Sequence, residues 1–293
     1  MKNQQGFTLI ELAIVLVIVT ILIGGLAMPL SAQIQARRIA ETNKTLEEAR
    51  EAIIGYAMSH PTNTTCECTY AGNPPTVTAA PLSCLSFCPV STVSTDTVAG
   101  VITLPTHHYL PCPDLNGADP EPNLDNDGVD GRTDLNNGVE DRYKGTNVGR
   151  CAAPSGNLPW VTLGTAAQDA WGNRLHYSVT DNPATSSYGD SSTGFSNSSI
   201  GNNQICTTST GGCSTGTVAS NVPVVLVSYG SNGWGARNVN GNTLALPTSA
   251  DELENTDSDT SFVSRAPTQP GGGGGEFDDL VVWLSDGLLK SRA

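Results

Sequence analysis

The feature that most constrains this chain lies at its start. Gly6-Phe7-Thr8-Leu9-Ile10-Glu11-Leu12 opens an apolar run that continues to Leu30. A helix needs about 20 apolar residues to span a bilayer, and this run supplies them. The leader before it, Met1 to Gly6, is polar and carries one side-chain charge, on Lys2. A cleavable secretory signal has an apolar core of roughly 7–15 residues with a small-residue cleavage site after it. Here the run is longer, and the glycine suited to processing precedes it. Glu11 sits inside the run, where an ionised carboxylate costs about 3 kcal/mol or more unless it is paired. A plain anchor accounts for the length but not for Glu11.

This pattern resembles the class III signal of type IV pilins and type II secretion pseudopilins. The resemblance implies that a prepilin peptidase cuts after Gly6 and methylates the new N-terminus, Phe7. Glu11 then takes the place of the family's glutamate, the fifth residue of the mature chain. Two buried opposite charges are costly apart and tolerable together. In a neighbouring subunit displaced along a filament axis, Glu11 can reach the Phe7 ammonium, and the pair would set the stagger between subunits.

Pro29 follows Gly24 and Gly25, and proline removes a helix hydrogen bond; a kink or local melting is expected there. From Ser31 to about Ser59 the pattern is amphipathic. Ile39, Leu46 and Ile53 recur at heptad spacing beside Ala49 and Tyr56, with charged residues between them. Such a stripe predicts a helix with one buried face. Arg37 and Arg38 could mark the membrane edge. The helical signal stops at Pro61.

Aromatic residues make up only 5% of the chain, so the core should be modest and the loops long. The eight cysteines are Cys66, Cys68, Cys84, Cys88, Cys112, Cys151, Cys206 and Cys213. An even count behind a membrane-targeting segment points to disulfides in an oxidising compartment. Zinc held by Cys66, Cys68, Cys84 and Cys88 is the alternative. A Cys112–Cys151 bond would close the acidic loop between them, and Cys206 with Cys213 would pin a small ring. Cross-links between the Cys66/Cys68 pair and the Cys84/Cys88 pair would hold the segment 62–105, and connectivity itself is not readable from the sequence.

The formal net charge of -14 argues against a nucleic-acid partner, because little here could neutralise phosphates. It suits a cation instead. Asn123, Asp125, Asp127, Val129 and Asp134 have the oxygen spacing of an EF-hand-type calcium loop, with Gly128 at the turn. The major pseudopilin carries calcium in C-terminal loops; the resemblance, loose here, makes Asp257, Asp259, Asp278 and Asp279 the matching oxygens. Glu140-Asp141-Arg142 reads as a local ion pair.

Leu158–Leu163 is strand-like. Asp169-Ala-Trp171-Gly172-Asn173-Arg174 resembles the Asp-Pro-Trp-Gly-Asn-Pro segment of the major pseudopilin. It predicts a turn leading into a strand where Leu175, Tyr177 and Val179 alternate, with Trp171 in the core. Thr180–Asn221 reads as one long polar loop. Pro223–Tyr229 is a buried strand followed by a glycine turn, Gly271–Gly275 a flexible link, and Leu280–Leu284 a final strand.

The expected fold is α+β and pilin-like: a long N-terminal helix packed on an antiparallel sheet head with disulfide-bonded loops. Its parts are a leader (1–6), a transmembrane and filament-core half-helix (7–30), an amphipathic half-helix (31–59) and a periplasmic β-rich head (60–293). No nucleophile motif, phosphate loop or zinc-protease motif occurs, and His107 and His108 adjoin none, so no enzyme is expected. The expected function is a structural filament subunit that co-assembles with other pilins or pseudopilins. The alternative is a minor or tip pilin whose head binds a surface or a secreted substrate.

Overall fold

The structure, a computed structural model, describes residues 8–59, 61–62, 65–67, 101–103, 107–118, 133–142, 149–182, 186–191, 194–211, 213–214, 216–257, 259–272 and 274–292. Side chains are excepted at 23–30, 61–67, 101–107, 116–118, 133–135, 181–182 and 186–187. Helix α1 spans Leu9–Ser59, 51 residues, and its backbone runs through Pro29 without a break. Its start is a capping box. Thr8 N donates to Glu11 Oε2 at 2.9 Å, and Glu11 N donates back to Thr8 Oγ1 at 3.4 Å.

The halves of α1 differ in what surrounds them. Every described side chain from Thr8 to Leu22 is exposed, Leu9 at 90% and Ile21 at 68%. Among the described residues no helix is long and apolar enough to cross a membrane; side chains 23–30 of the expected span lie outside them. Further along, Thr42, Leu46, Ala49, Ile53, Ile54, Tyr56 and Ala57 are buried. This stripe starts later than the heptad pattern predicts. Ile39 remains 40% exposed, and the polar Thr42 takes the first buried place, accepting a hydrogen bond from Ala170 N at 3.2 Å.

The stripe meets an antiparallel sheet. Its strands in chain order are β1 (Ser155–Asn157), β2 (His176–Val179), β3 (Val224–Ser228) and β4 (Leu280–Leu284). In space the order is β4-β3-β2-β1. Alternation along β3 divides the core, because successive side chains point to opposite faces. Val224 and Leu226 join Leu46, Ile53, Leu175, Tyr177 and Val179 on the helix side. Val225 and Val227 join Ile205, Val222, Tyr229, Ala236 and Phe262 on the other. A strand buried on both faces needs an unbroken apolar run, which Val224-Val-Leu-Val227 provides.

The second cluster is roofed by a mixed sheet of Asn203–Cys206 between Thr217–Val222, antiparallel, and Ser261–Val263, parallel. The segment read as one long loop therefore contains two of its strands. Ile205 and Cys206 are fully buried there, and that burial, invisible in a Ser/Thr/Asn-rich sequence, orders them. Leu158–Leu163 differs too. The strand is Ser155–Asn157, and Trp160–Leu163 is one helical turn, closed by Gly164 in the left-handed region. Gly138 O holds that turn by accepting from Val161 N and Thr162 N. Within the expected link Gly274 and Gly275 are anchored: Arg265 donates to Gly274 O and Gly275 O at 3.1 and 3.3 Å. A helix at Asp286–Arg292, not anticipated, ends the fold.

Cys112 and Cys151 are bonded, and so are Cys206 and Cys213, with Cα separations of 5.2 and 5.3 Å. The first lies in the core, where Gly189 is required: a Cβ there would stand 2.3 Å from Cys151 Sγ. Cys66 is on a strand at Thr65–Glu67 paired with Val101–Thr103; Cys68, Cys84 and Cys88 lie outside the described residues.

Burial of the stripe sets the first expected outcome. Ile53→Ala should cost about 3 kcal/mol, as large-to-small changes in packed cores do. Ile39→Ala should cost less than about 1 kcal/mol. Urea unfolding of the full chain in detergent measures both, and equal costs would contradict the packing described.

Candidate functional site

Three carboxylates converge where the turn after β3 meets the segment before β4. Glu252, Asp278 and Asp279 each present an oxygen within 4.8 Å of the others. Glu252 comes from a short helix, Ala250–Glu254, which turns it inward to 1% exposure. Asp279 is 4% exposed.

The local backbone holds this cluster. Gly230 has φ +58°, and a Cβ on it would stand 2.3 Å from the Asp278 carbonyl oxygen. Only glycine fits both the conformation and the space. The turn then aims Ser231 N, Ser231 Oγ and Asn232 N at Asp278 Oδ2, at 2.9, 2.7 and 3.0 Å. Glu252 Oε1 accepts from Asn232 Nδ2 at 3.1 Å and Asp278 N at 3.0 Å. Asn255 Nδ2 donates to Asp279 Oδ2 at 2.8 Å, while Asn255 Oδ1 accepts from Val263 N at 2.7 Å. Glu252 Oε2 and Asp278 Oδ1 are buried with no hydrogen-bond partner.

A buried oxygen pays desolvation without return. Burial pushes the Asp279 carboxyl well above its ordinary range; Asn255 opposes this, while Glu252 and Asp278 add to it. Burial also raises Glu252, against its hydrogen bonds from Asn232 and Asp278. Adjoining Asp251 goes the other way. Burial would raise it, but Ser209 and Arg265 outweigh that and hold it below the usual range. Thr208, Ser209 and Arg265 all donate to Asp251, which ties this corner to the Cys206–Cys213 ring.

The donors are all oxygens, three carboxylates crowd together, and two oxygens lack protons to accept. That chemistry fits a hard divalent cation. Of the acids singled out by sequence, Asp278 and Asp279 are in the cluster. Asp257 and Asp259 make local turns instead: Asp257 Oδ1 accepts from Asp259 N, and Asp259 Oδ1 from Ser261 N. Glu252 was not singled out; only the helix turn separates it from the neighbouring acids. Asn123, Asp125, Asp127 and Val129 lie outside the described residues, and Asp134 is on a strand at Thr133–Leu135.

Two other sequence features prove structural. Glu140 and Arg142 pair at 2.8 Å in a half-closed setting. Tyr56 Oη and Cys112 N also donate to Glu140, binding the end of α1 to the core disulfide. Asp169 is buried and accepts from Trp171 N, Asn173 N and Ser228 Oγ, at 2.9, 2.9 and 2.7 Å. The turn is thereby tied to β3.

At the other end of the molecule, residues 1–27 match the family model for the prokaryotic N-terminal methylation motif. The chain carries the class III signal. This signal is typical of type IV pilins and pseudopilins. No curated protein and no solved structure matches the chain. In this chain the motif runs into the exposed apolar half of α1, and Glu11 lies within it.

The raised carboxyls give a signed pH dependence. An acid whose folded pKa exceeds its unfolded value favours the folded state at low pH, and this contribution disappears as pH rises through the folded pKa. With divalent cations chelated, this contribution should add stability as pH falls from about 7.5 toward about 5, against the loss from His176, whose buried ring is held down at about 4. Asp279→Asn should remove most of that gain, as thermal melts in EDTA would record. A gain that survives the substitution would remove Asp279 as its source.

Proposed function

We propose that this protein is a structural subunit of a type IV pilus-like or type II secretion filament. The observation that carries this reading is the methylation motif at 1–27 in line with a 51-residue helix. The first part of that helix bares apolar side chains, and its second part is built into the head. So large an exposed apolar surface needs a cover. The inner membrane supplies it before assembly, with the head in the periplasm, and neighbouring pilins or pseudopilins supply it afterwards. Prepilin peptidase cleaves after Gly6 and methylates Phe7.

In this reading Glu11 exchanges partners. Within one chain it closes the capping box with Thr8. In a filament it faces the Phe7 ammonium of a displaced neighbour, a buried pair that favours one register. Calcium is the cation proposed for the head, held by Glu252, Asp278 and Asp279. It would offset the repulsion among them and hold the glycine turn against the segment before β4.

Glu11→Val should leave membrane insertion intact and reduce incorporation into sheared filaments at least about tenfold, a loss equal to 1.4 kcal/mol. Wild-type incorporation by this variant would sink the pairing. Mass spectrometry of the subunit should find methylated Phe7 as the first residue; an intact Met1 would overturn the processing. Calcium at about 100 times its Kd should stabilise the chain by about 2.7 kcal/mol, and Glu252→Gln should abolish most of the increment. An identical melting curve with and without EDTA would remove calcium.

A further inference from the structure

On the face of the main sheet away from α1, a concave pocket of about 200 Å³ opens beside edge strand β1. Among the described residues its lining includes Ser155, Asn157, Arg174, His176, Arg237 and Thr243. It shares no residue with the carboxylate cluster. On a chain of net charge -14 it brings two guanidinium groups together.

The two arginines are placed differently. Arg174 is committed to the fold. Its guanidinium carbon stands 3.9 Å from the Trp160 ring centroid, and its Nη1 donates to Ala167 O at 2.8 Å. The Arg237 carbonyl accepts from Arg174 N at 2.7 Å, but its guanidinium has no hydrogen bond or ion pair among the described residues, although the residue is partly buried on the hairpin closed by the Arg237–Thr243 bridge. Burial lowers the pKa of both arginines, and the field of buried Asp114 opposes this in each. Burial and Arg237 push His176 down to about 4, so it is neutral at physiological pH. Its Nε2 lies 3.1 Å from Ser155 Oγ.

Among the described lining residues the two guanidiniums are the charged side chains, and Asp114, with Asp257 and Asp279 beyond Tyr229, offsets them from outside the pocket; a ligand of low negative charge, a monoanion, suits this balance. Guanidinium donors form a planar fork suited to a carboxylate. The hydroxyls of Ser155 and Thr243 and the amide of Asn157 can exchange hydrogen bonds with a polar body. The volume is below the roughly 300–1,000 Å³ of drug-sized pockets, so one small residue fits rather than an extended chain.

We infer that this pocket binds a hydroxylated monocarboxylate of single-sugar size, a hexuronate, with Arg237 gripping the carboxylate and Ser155, Asn157 and Thr243 the hydroxyls. The head then recognises acidic sugar independently of its cation cluster.

The test is calorimetric titration of the detergent-solubilised full chain with D-glucuronate and D-galacturonate. At least one should bind saturably with a Kd below about 5 mM. D-Glucose, which lacks the carboxylate, and acetate, which lacks the hydroxyls, should each bind at least about tenfold more weakly. Arg237→Gln should weaken uronate at least about tenfold while circular dichroism is unchanged. Arg237→Lys, which keeps the charge and loses the fork, should fall between and serves if the glutamine variant does not fold. Uronate saturation should be retained in EDTA, which separates this pocket from the proposed calcium site. Absence of saturation with both uronates, equal binding of glucose, or full affinity in either Arg237 variant would overturn the assignment.

Discussion

The contact between the second half of α1 and the main sheet is the interaction on which the rest depends. Leu46, Ala49 and Ile53 are wholly buried against a cluster that includes Leu226, Tyr177 and Val179. Burying Leu46 and Ile53 contributes about 1.5–3 kcal/mol each before entropy is counted. The same contact couples the head to whatever holds the first half. A 51-residue helix is about 77 Å long at 1.5 Å per residue. Force on its apolar end therefore reaches the sheet through this stripe.

A chain with few aromatics needs other ways to order its loops, and here they are buried polar hubs. Glu140 gathers Tyr56, Cys112 and Arg142; Asp169 gathers its own turn and Ser228; Asn255 joins Val263 to Asp279. Each hub links segments far apart in sequence. Their partners are satisfied, which is what makes polar burial tolerable. In the trio of Glu252, Asp278 and Asp279 two buried oxygens have no partner; Thr165 Oγ1, Trp171 Nε1 and Asn203 Nδ2 share that state. What marks the trio as a place for a ligand is that its orphaned oxygens belong to carboxylates converging within 4.8 Å.

Much of the framework was legible because it rests on local periodicity. The amphipathic stretch, the buried strand at 224–228 and the Gly172 turn into Leu175, Tyr177 and Val179 all follow from spacing or adjacency. What failed was non-local. Ile39 fits the heptad yet lies beyond the edge of the head. Asn203–Cys206 and Thr217–Val222 look like polar loop, and become strands by pairing with each other and with Ser261–Val263. Arg265, ten residues from Gly275, turns an apparent link into a pinned bend.

The sequence by itself determined the class III signal, the long helix and the apolar strand, because each is written in consecutive residues. It also supplied an excess of acids, but not their grouping. Tertiary structure alone decided that Glu252 rather than Asp257 or Asp259 meets Asp278 and Asp279, and that Arg237 shares a pocket with Ser155. Both outcomes depend on which side chains a turn or a strand crossing brings within a few ångströms, and electrostatic interaction at that range falls with distance in space. Separation along the chain does not enter.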